Sequence, residues 1–173
     1  MEDFFRSIER QAFRISLFAC SNREDALDLV QDSMCSFISK YSGKAQSEWK
    51  QLFYKILQNK IRDLYRKRSI RSRWQALTGV TSDEDNTDFL EKLEDKKGLN
   101  PEQEAQNRQA IERLQIELKL LSLKQQQVFL LRAWEGMSIS ETALAMGCSE
   151  GAIKSHYSRA TERLRKKLGK YWL

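Results

Sequence analysis

The side chains best suited to binding chemistry lie near the end of the sequence, between residues 150 and 168. Apolar residues recur there at helical spacing and predict a buried stripe: Ile153, Tyr157, Ala160, Leu164 and Leu168. The opposite face presents polar and charged side chains, with His156 to one side: Lys154, Ser155, Ser158, Arg159 and Glu162. Because Lys and Arg bind guanine edges or phosphates and serine binds either, this face predicts a DNA-contacting helix.

The residues before this helix predict a helix-turn-helix. Ser138 and Glu141 form a capping box at the start of a short helix over 139–146. Gly147 suits a helix end that needs a left-handed residue, and Ser149 is a good cap for the next helix. Short helix, glycine turn and basic helix are typical of DNA-reading domains. The motif alone does not choose between a repressor, a recombinase and a polymerase subunit.

A second basic region runs from Lys50 to Arg73, with nine Lys or Arg and one acid, Asp63. Aromatic residues are interleaved with the cations, and Tyr54, Tyr65 and Trp74 are those expected to be free of the core. Cations that hold phosphates beside rings that stack on exposed bases suit single-stranded or melting DNA.

An acidic face is predicted on the helix over 23–41, opposite its apolar side. Steps of three and four residues bring Asp28, Gln31 and Asp32 together. A solvated helix surface is the ordinary interpretation. In a nucleic-acid binder, such a patch also fits a basic protein partner.

Composition and charge predict the elements that carry these residues. One Pro and seven Gly in 173 residues, without sustained alternation, indicate an all-α chain with no sheet. Residues 1–80 have 15 basic and 9 acidic side chains, 81–107 have 3 and 9, and 108–173 have 12 and 6. We therefore expect two small helical domains, 1–75 and 101–173, joined by a flexible acidic linker over 76–100.

The predicted helices cover 3–20, 23–41, 48–73, 101–121, 122–135, 139–146 and 150–168. Ile38 is among the residues expected in the core. Helix caps are expected at Ser21 or Asn22 and at Ser47.

Other residues exclude several classes of function. Cys20, Cys35, Cys148 and His156 lack the spacing of a zinc site, so we expect no metal and packed, reduced cysteines. No signal peptide, membrane-length apolar run, P-loop, catalytic acid pair or nucleophile–His–acid set is present. The expectation is a cytoplasmic protein without membrane insertion, cofactor or enzymatic activity.

Three segments together resemble the extracytoplasmic-function (ECF) sigma factors of the sigma-70 family. Residues 22–32 resemble the family's region that grips the clamp helices of the largest subunit of RNA polymerase. Residues 52–68 resemble its segment for melting and reading the minus-10 element. Residues 122–132, 135–141 and 151–160 resemble its helix-turn-helix domain, which reads the minus-35 element.

The resemblance implies a role for each candidate site. Asp28, Gln31 and Asp32 become the contacts to core RNA polymerase, whose flap region is a second expected partner. Asn59, Arg62, Tyr65 and Arg66 become the minus-10 contacts, with the loop 41–47 as a wall for a flipped base. Lys154, Ser155, His156, Ser158 and Arg159 become the minus-35 contacts. The implied function is to direct the polymerase to promoters, and the family often includes an anti-sigma partner.

Two other functions remain open on the residues alone. A helix-turn-helix regulator would bind duplex DNA as a dimer without polymerase, and would leave the acidic and basic-aromatic faces unexplained. A small DNA recombinase would need a nucleophile beside clustered arginines; Ser7 and Ser69 stand next to arginines, but nothing else in the sequence supports them.

Overall fold

The computed structural model describes residues 1–78 and 101–169, and side chains over 1–70 and 109–169. Seven α-helices and one π-helical turn make up the described chain, which contains no strand. The helices are α1 (Glu2–Cys20), α2 (Arg23–Tyr41), α3 (Gln46–Thr78), α4 (Pro101–Lys119), α5 (Leu123–Phe129), α6 (Ile139–Met146) and α7 (Glu150–Leu168), and the π-helical turn is Leu130–Trp134. None of the described helices is long and apolar enough to cross a membrane.

The N-terminal half consists of α1, α2 and α3, packed around an aromatic core. Phe37 and Phe53 are fully buried, and the partly buried Phe4 lies edge-on to Phe53 with ring centroids 6.2 Å apart. Ser21 ends α1 in the left-handed conformation, and the Asn22 side chain accepts the Asp25 backbone N–H at the start of α2. The expected cap at Asn22 is therefore confirmed.

Two expectations for this half were wrong. The third helix begins at Gln46 and reaches Thr78, so Ser47 lies inside it instead of capping it. Ile38, expected in the core, is 48% exposed, because α2 turns that position away from α1 and α3. Beyond the apolar stripe, α3 continues through long basic side chains, which favour helix. Apolar periodicity does not mark where such a segment ends.

The C-terminal half contains α4 to α7, with Leu118, Leu131, Ile153 and Leu164 fully buried. The sequence predicted one regular helix over 122–135. The structure instead has a short α5 followed by a π-helical turn, in which the Glu135 N–H donates to the Leu130 carbonyl. Gly136 then breaks the helix with a φ of +63°.

The two halves pack against each other, mainly through α3 and α6. Phe18 of α1 lies edge-on to Trp134 of the π-helical turn, with ring centroids 5.3 Å apart. The predicted linker over 76–100 falls almost entirely outside the described residues.

Candidate nucleic-acid and protein interfaces

The helix-turn-helix is built by local capping. The Ser138 hydroxyl accepts the Glu141 N–H at 3.2 Å, and the Glu141 carboxylate accepts the Ser138 N–H at 2.6 Å. These hydrogen bonds lower the pKa of Glu141. Gly147 closes α6 in the left-handed conformation at φ +64°, and the Ser149 hydroxyl caps α7. The capping box, the glycine at the end of α6 and the serine cap of α7 were predicted from the sequence.

The face of α7 opposite the core is open to solvent. Ile153, Ala160, Leu164 and Leu168 are buried, and Tyr157 is partly buried, as the apolar stripe predicted. Four of the five predicted DNA contacts are exposed: Lys154, Ser155, Ser158 and Arg159. Their side chains therefore form one surface with two cations and two hydroxyls, which suits the edge of a nucleic-acid groove.

His156, the fifth predicted contact, is half-buried at the edge of this face. Its Nδ1 is buried and has no hydrogen-bond partner. Desolvation, followed by the positive charges of Lys124 on α5 and Arg159, lowers the pKa of His156. Burial and the two cations thus disfavour the imidazolium form of His156. Lys124, which is exposed on α5, joins the basic surface from a neighbouring helix.

The end of α5 and the π-helical turn support α7 on the side away from its exposed face. The Phe129 ring stacks on Tyr157 with centroids 6.1 Å apart, and the Arg132 guanidinium lies 5.6 Å from the centre of the same ring. Arg132 also donates a hydrogen bond to the Met137 carbonyl. The position of α7 is thus tied to the backbone geometry of residues 130–137.

The four predicted minus-10 contacts are exposed on the basic helix α3. Each of them also makes a hydrogen bond within the chain. Arg62 donates to the Asn59 side-chain oxygen Oδ1 at 2.6 Å, and Arg66 donates to the Asp63 carboxylate at 2.7 Å. Tyr65 is 40% exposed, while its hydroxyl donates to the Ala19 carbonyl at the end of α1. These bonds preset the orientation of the side chains before any ligand binds.

Two other aromatic expectations on α3 have different outcomes. Tyr54 was expected to be free for base stacking; this was wrong, since its side chain is fully buried. Burial and the neighbouring Glu135 carboxylate raise its pKa well above the ordinary value. The side chain of Trp74 lies outside the described residues.

The loop between α2 and α3 is held by Trp49, whose indole N–H donates to the Lys44 carbonyl at 2.8 Å.

The acidic face on α2 is exposed as predicted, with Asp28, Gln31 and Asp32 all open to solvent. Beside it runs an open groove of about 380 Å³ between α2 and α3. The groove is lined by Asp25, Asp28, Leu29, Asp32, Lys60, Asp63, Leu64 and Lys67. Lys60 lies 3.4 Å from the Asp32 carboxylate, so one basic residue of α3 partly offsets the acidic face.

The cysteines differ from one another. Cys20 is buried, and burial raises the pKa of its thiol, whereas Cys35 and Cys148 are exposed. The expectation of packed cysteines is confirmed for Cys20 and wrong for the other two.

The sequence did not single out the polar residues that join the two halves. Lys50 donates to the Glu135 backbone carbonyl at 2.6 Å and lies 3.1 Å from its carboxylate. Gln58 donates to the Gln127 side-chain oxygen at 2.8 Å, and both residues are buried. Residues 50, 54, 58 and 62 are spaced by four and so share one face of α3, which could have indicated a polar contact. The stronger apolar stripe next to this face masked the pattern.

The helix-turn-helix segment matches a protein-family model, and the whole chain resembles known proteins. Residues 111–164 match the model described as sigma-70, region 4. The RNA polymerase sigma-E factor of Streptomyces coelicolor is 53% identical over 51 residues, which cover 30% of this chain and 29% of that protein. The RNA polymerase sigma factor NccH of Alcaligenes xylosoxydans xylosoxydans is 32% identical over 144 residues, covering 81% of this chain and 71% of the relative.

A solved structure resembles the chain over nearly its full length. It is the sigma factor RpoE in complex with the anti-sigma factor NepR from Bartonella quintana, with a TM-score of 0.67 and 25% sequence identity. The match covers 97% of this chain and 98% of that one.

Proposed function

Because this chain belongs to the sigma-70 family of RNA polymerase sigma factors, we propose that it binds core RNA polymerase, directs it to promoters and helps to open the minus-10 region. The observation that carries the proposal is the similarity to a sigma factor along 81% of the chain, which includes both helical halves. The resemblance to the extracytoplasmic-function type adds a minimal organisation of two domains, 1–75 and 101–173, and a linker.

Each surface has a role in this proposal. The exposed α2 residues Asp28, Gln31 and Asp32 bind the clamp helices of the polymerase, for which an acidic, unobstructed helix face is suited. The exposed α7 residues bind the minus-35 duplex, with Lys124 as an additional phosphate contact from α5. Asn59, Arg62, Tyr65 and Arg66 on α3 bind the separated minus-10 strand.

Promoter opening in this proposal needs no catalysis by the chain. Stacking and phosphate contacts on α3 favour captured single strand over duplex, so the free energy of binding drives melting. The function is exercised in the cytoplasm, where bacterial polymerase acts. An anti-sigma factor is a candidate regulator, because the structural relative was solved with one.

Gel filtration with bacterial core RNA polymerase tests the proposal. We expect the wild-type chain to co-elute with core enzyme, and the Asp28→Ala/Gln31→Ala/Asp32→Ala variant to bind at least tenfold more weakly because it lacks the acidic contacts. A Glu2→Ala/Glu9→Ala variant is the matched control, since both carboxylates are exposed on α1 away from this face.

The possible outcomes separate the functions. If the folded wild-type chain does not bind core enzyme but binds duplex DNA as a dimer, it is a conventional helix-turn-helix regulator. The sigma proposal is then wrong. If the triple variant and the control lose binding equally, the loss is due to net charge. The proposal that α2 docks on the polymerase is then wrong.

A further inference from the structure

The apolar core beneath the first half of α7 is small. In the described part of the chain it consists of three buried residues, Val128, Ala143 and Ile153. Partly buried apolar side chains pack around it, among them Tyr157. Apolar contacts have no preferred direction, so a core of this size holds α7 in place but defines its rotation about its own axis only loosely.

A directional contact is present at Tyr157. Phe129 of α5 stacks on the Tyr157 ring, with centroids 6.1 Å apart and ring planes 20° apart. The Arg132 guanidinium lies over the same ring, 5.6 Å from its centre. Ring stacking and cation–π attraction both depend on orientation, so this contact restricts the rotation of α7 as well as its position.

Arg132 also connects Tyr157 to the start of α6. Its guanidinium donates to the carbonyl of Met137, which directly precedes the helix cap Ser138. Met137 is 1% exposed, so the accepting carbonyl belongs to a well-packed segment. One half-buried guanidinium therefore links the first helix of the helix-turn-helix to the middle of the second.

The rotation of α7 decides which side chains reach a base edge. Lys154 and Ser158, on the exposed face, lie three residues before Tyr157 and one residue after it. At about 6 Å from the helix axis, a rotation of about 10° moves a side chain by about 1 Å. Hydrogen bonds to a base need distances of about 2.7–3.2 Å and are lost by such a shift. Flexible lysine side chains still reach a phosphate after it.

We propose that Tyr157, held by Arg132 and Phe129, is a positioning residue that determines the sequence specificity of α7 without contacting DNA. This inference rests on the DNA-binding part of the proposed function and requires no contact with polymerase.

The test compares a duplex that the wild-type chain selects from a random library with an unrelated duplex of the same length. Selection is carried out with the free chain and with the chain bound to core polymerase. Specificity is the ratio of the two affinities, measured by fluorescence anisotropy at several salt concentrations. Tyr157→Leu and Arg132→Gln should each lower this ratio about tenfold, which is within what one aligned base contact supplies. The dependence of affinity on salt should stay as in the wild type, because the phosphate contacts remain.

Two further variants distinguish positioning from the loss of a ring or of a phosphate contact. Tyr157→Phe keeps the ring, so its specificity ratio should stay within about twofold of the wild-type value. Lys124→Gln removes a proposed phosphate contact, so it should weaken binding to both duplexes equally and reduce the slope of log affinity against log salt by about one.

The double variant Arg132→Gln/Tyr157→Leu should lose no more specificity than either single variant, since both changes remove the same contact. Val30→Ala is the control for stability, because Val30 is buried in α2 of the other half. It should lower the unfolding midpoint and leave the specificity ratio unchanged.

Four results would overturn the inference. They are a wild-type ratio in Tyr157→Leu, a salt slope reduced by about one in Arg132→Gln, additive losses in the double variant, and an equal loss in Val30→Ala. A wild-type chain that selects no sequence, alone or with polymerase, would overturn it together with the minus-35 role of α7. Failure of the polymerase part of the proposed function looks different, because the chain then selects a duplex but does not bind core enzyme.

Discussion

At the scale of single residues, we expect His156 to link DNA binding to pH. Its pKa is lowered by desolvation and by Lys124 and Arg159, so the free chain holds it neutral near pH 7. A bound phosphate offsets the two cations and favours the imidazolium, so binding takes up a proton. We expect affinity for a duplex selected from a random library to rise about threefold from pH 8 to pH 6, measured by fluorescence anisotropy at constant ionic strength.

The control for this prediction is His156→Gln, which keeps hydrogen-bonding groups but does not titrate. Its affinity should change less with pH than that of the wild type. Stability moves in the opposite direction, because the unfolded chain binds this proton more readily than the folded one. The free wild-type chain therefore loses stability as pH falls below the ordinary histidine range. Equal wild-type affinity at pH 6 and pH 8 would contradict the linkage.

At the scale of elements, the capping box decides where the helix-turn-helix begins. Ser138 and Glu141 satisfy each other's backbone N–H groups at the start of α6. Ser138→Ala removes one of these bonds, and we expect the free energy of unfolding to fall by about 1 kcal/mol. The measurement is the urea midpoint followed by circular dichroism.

Ser39→Ala is the matched control, because Ser39 is exposed inside α2 and caps nothing. That change should leave stability equal or slightly higher, since alanine favours helix.

The lowered pKa of Glu141 makes the stability of the fold depend on pH. Its stabilising contribution is present above the pKa of the unfolded carboxyl and is lost as pH falls through the folded value. No difference between the two serine variants would show that the cap contributes nothing.

At the scale of the whole molecule, we expect the contact between α3 and the C-terminal half to join the two halves into one cooperative unit. The buried bond from Gln58 to Gln127 crosses it, and Phe18 and Trp134 extend it with apolar contact. Gln58→Leu leaves the Gln127 oxygen without that donor, so we expect the free energy of unfolding to fall by about 1–3 kcal/mol. Hydrogen exchange followed by mass spectrometry should show one shared opening of both halves in the wild type and separate openings in the variant.

Gln51→Leu provides the control, because Gln51 is only partly buried and lies next to Lys50 on the same helix, α3. Independent opening of the two halves in the wild-type chain would contradict the cooperative unit.

Much of the fold followed from neighbours along the chain. Asn22, Ser138, Gly147 and Ser149 end or begin helices through bonds to backbone groups within a few residues, so their roles are visible in the sequence. The apolar stripe of α7 and its exposed polar face are equally local, because both depend only on helical periodicity. Family membership depended on three such segments in order.

Tertiary structure alone decided which polar groups are buried. Tyr54 stands in a basic stretch that suggested exposure, but it is fully buried, and Glu135, some eighty residues later, is close enough to raise its pKa. Lys50 and Gln58 pair with groups whose distance along the chain carries no periodic signal. The π-helical turn over 130–134 was also not predicted, because its backbone form is rare and its contacts are distant in sequence: Trp134 meets Phe18, and Arg132 lies over the Tyr157 ring.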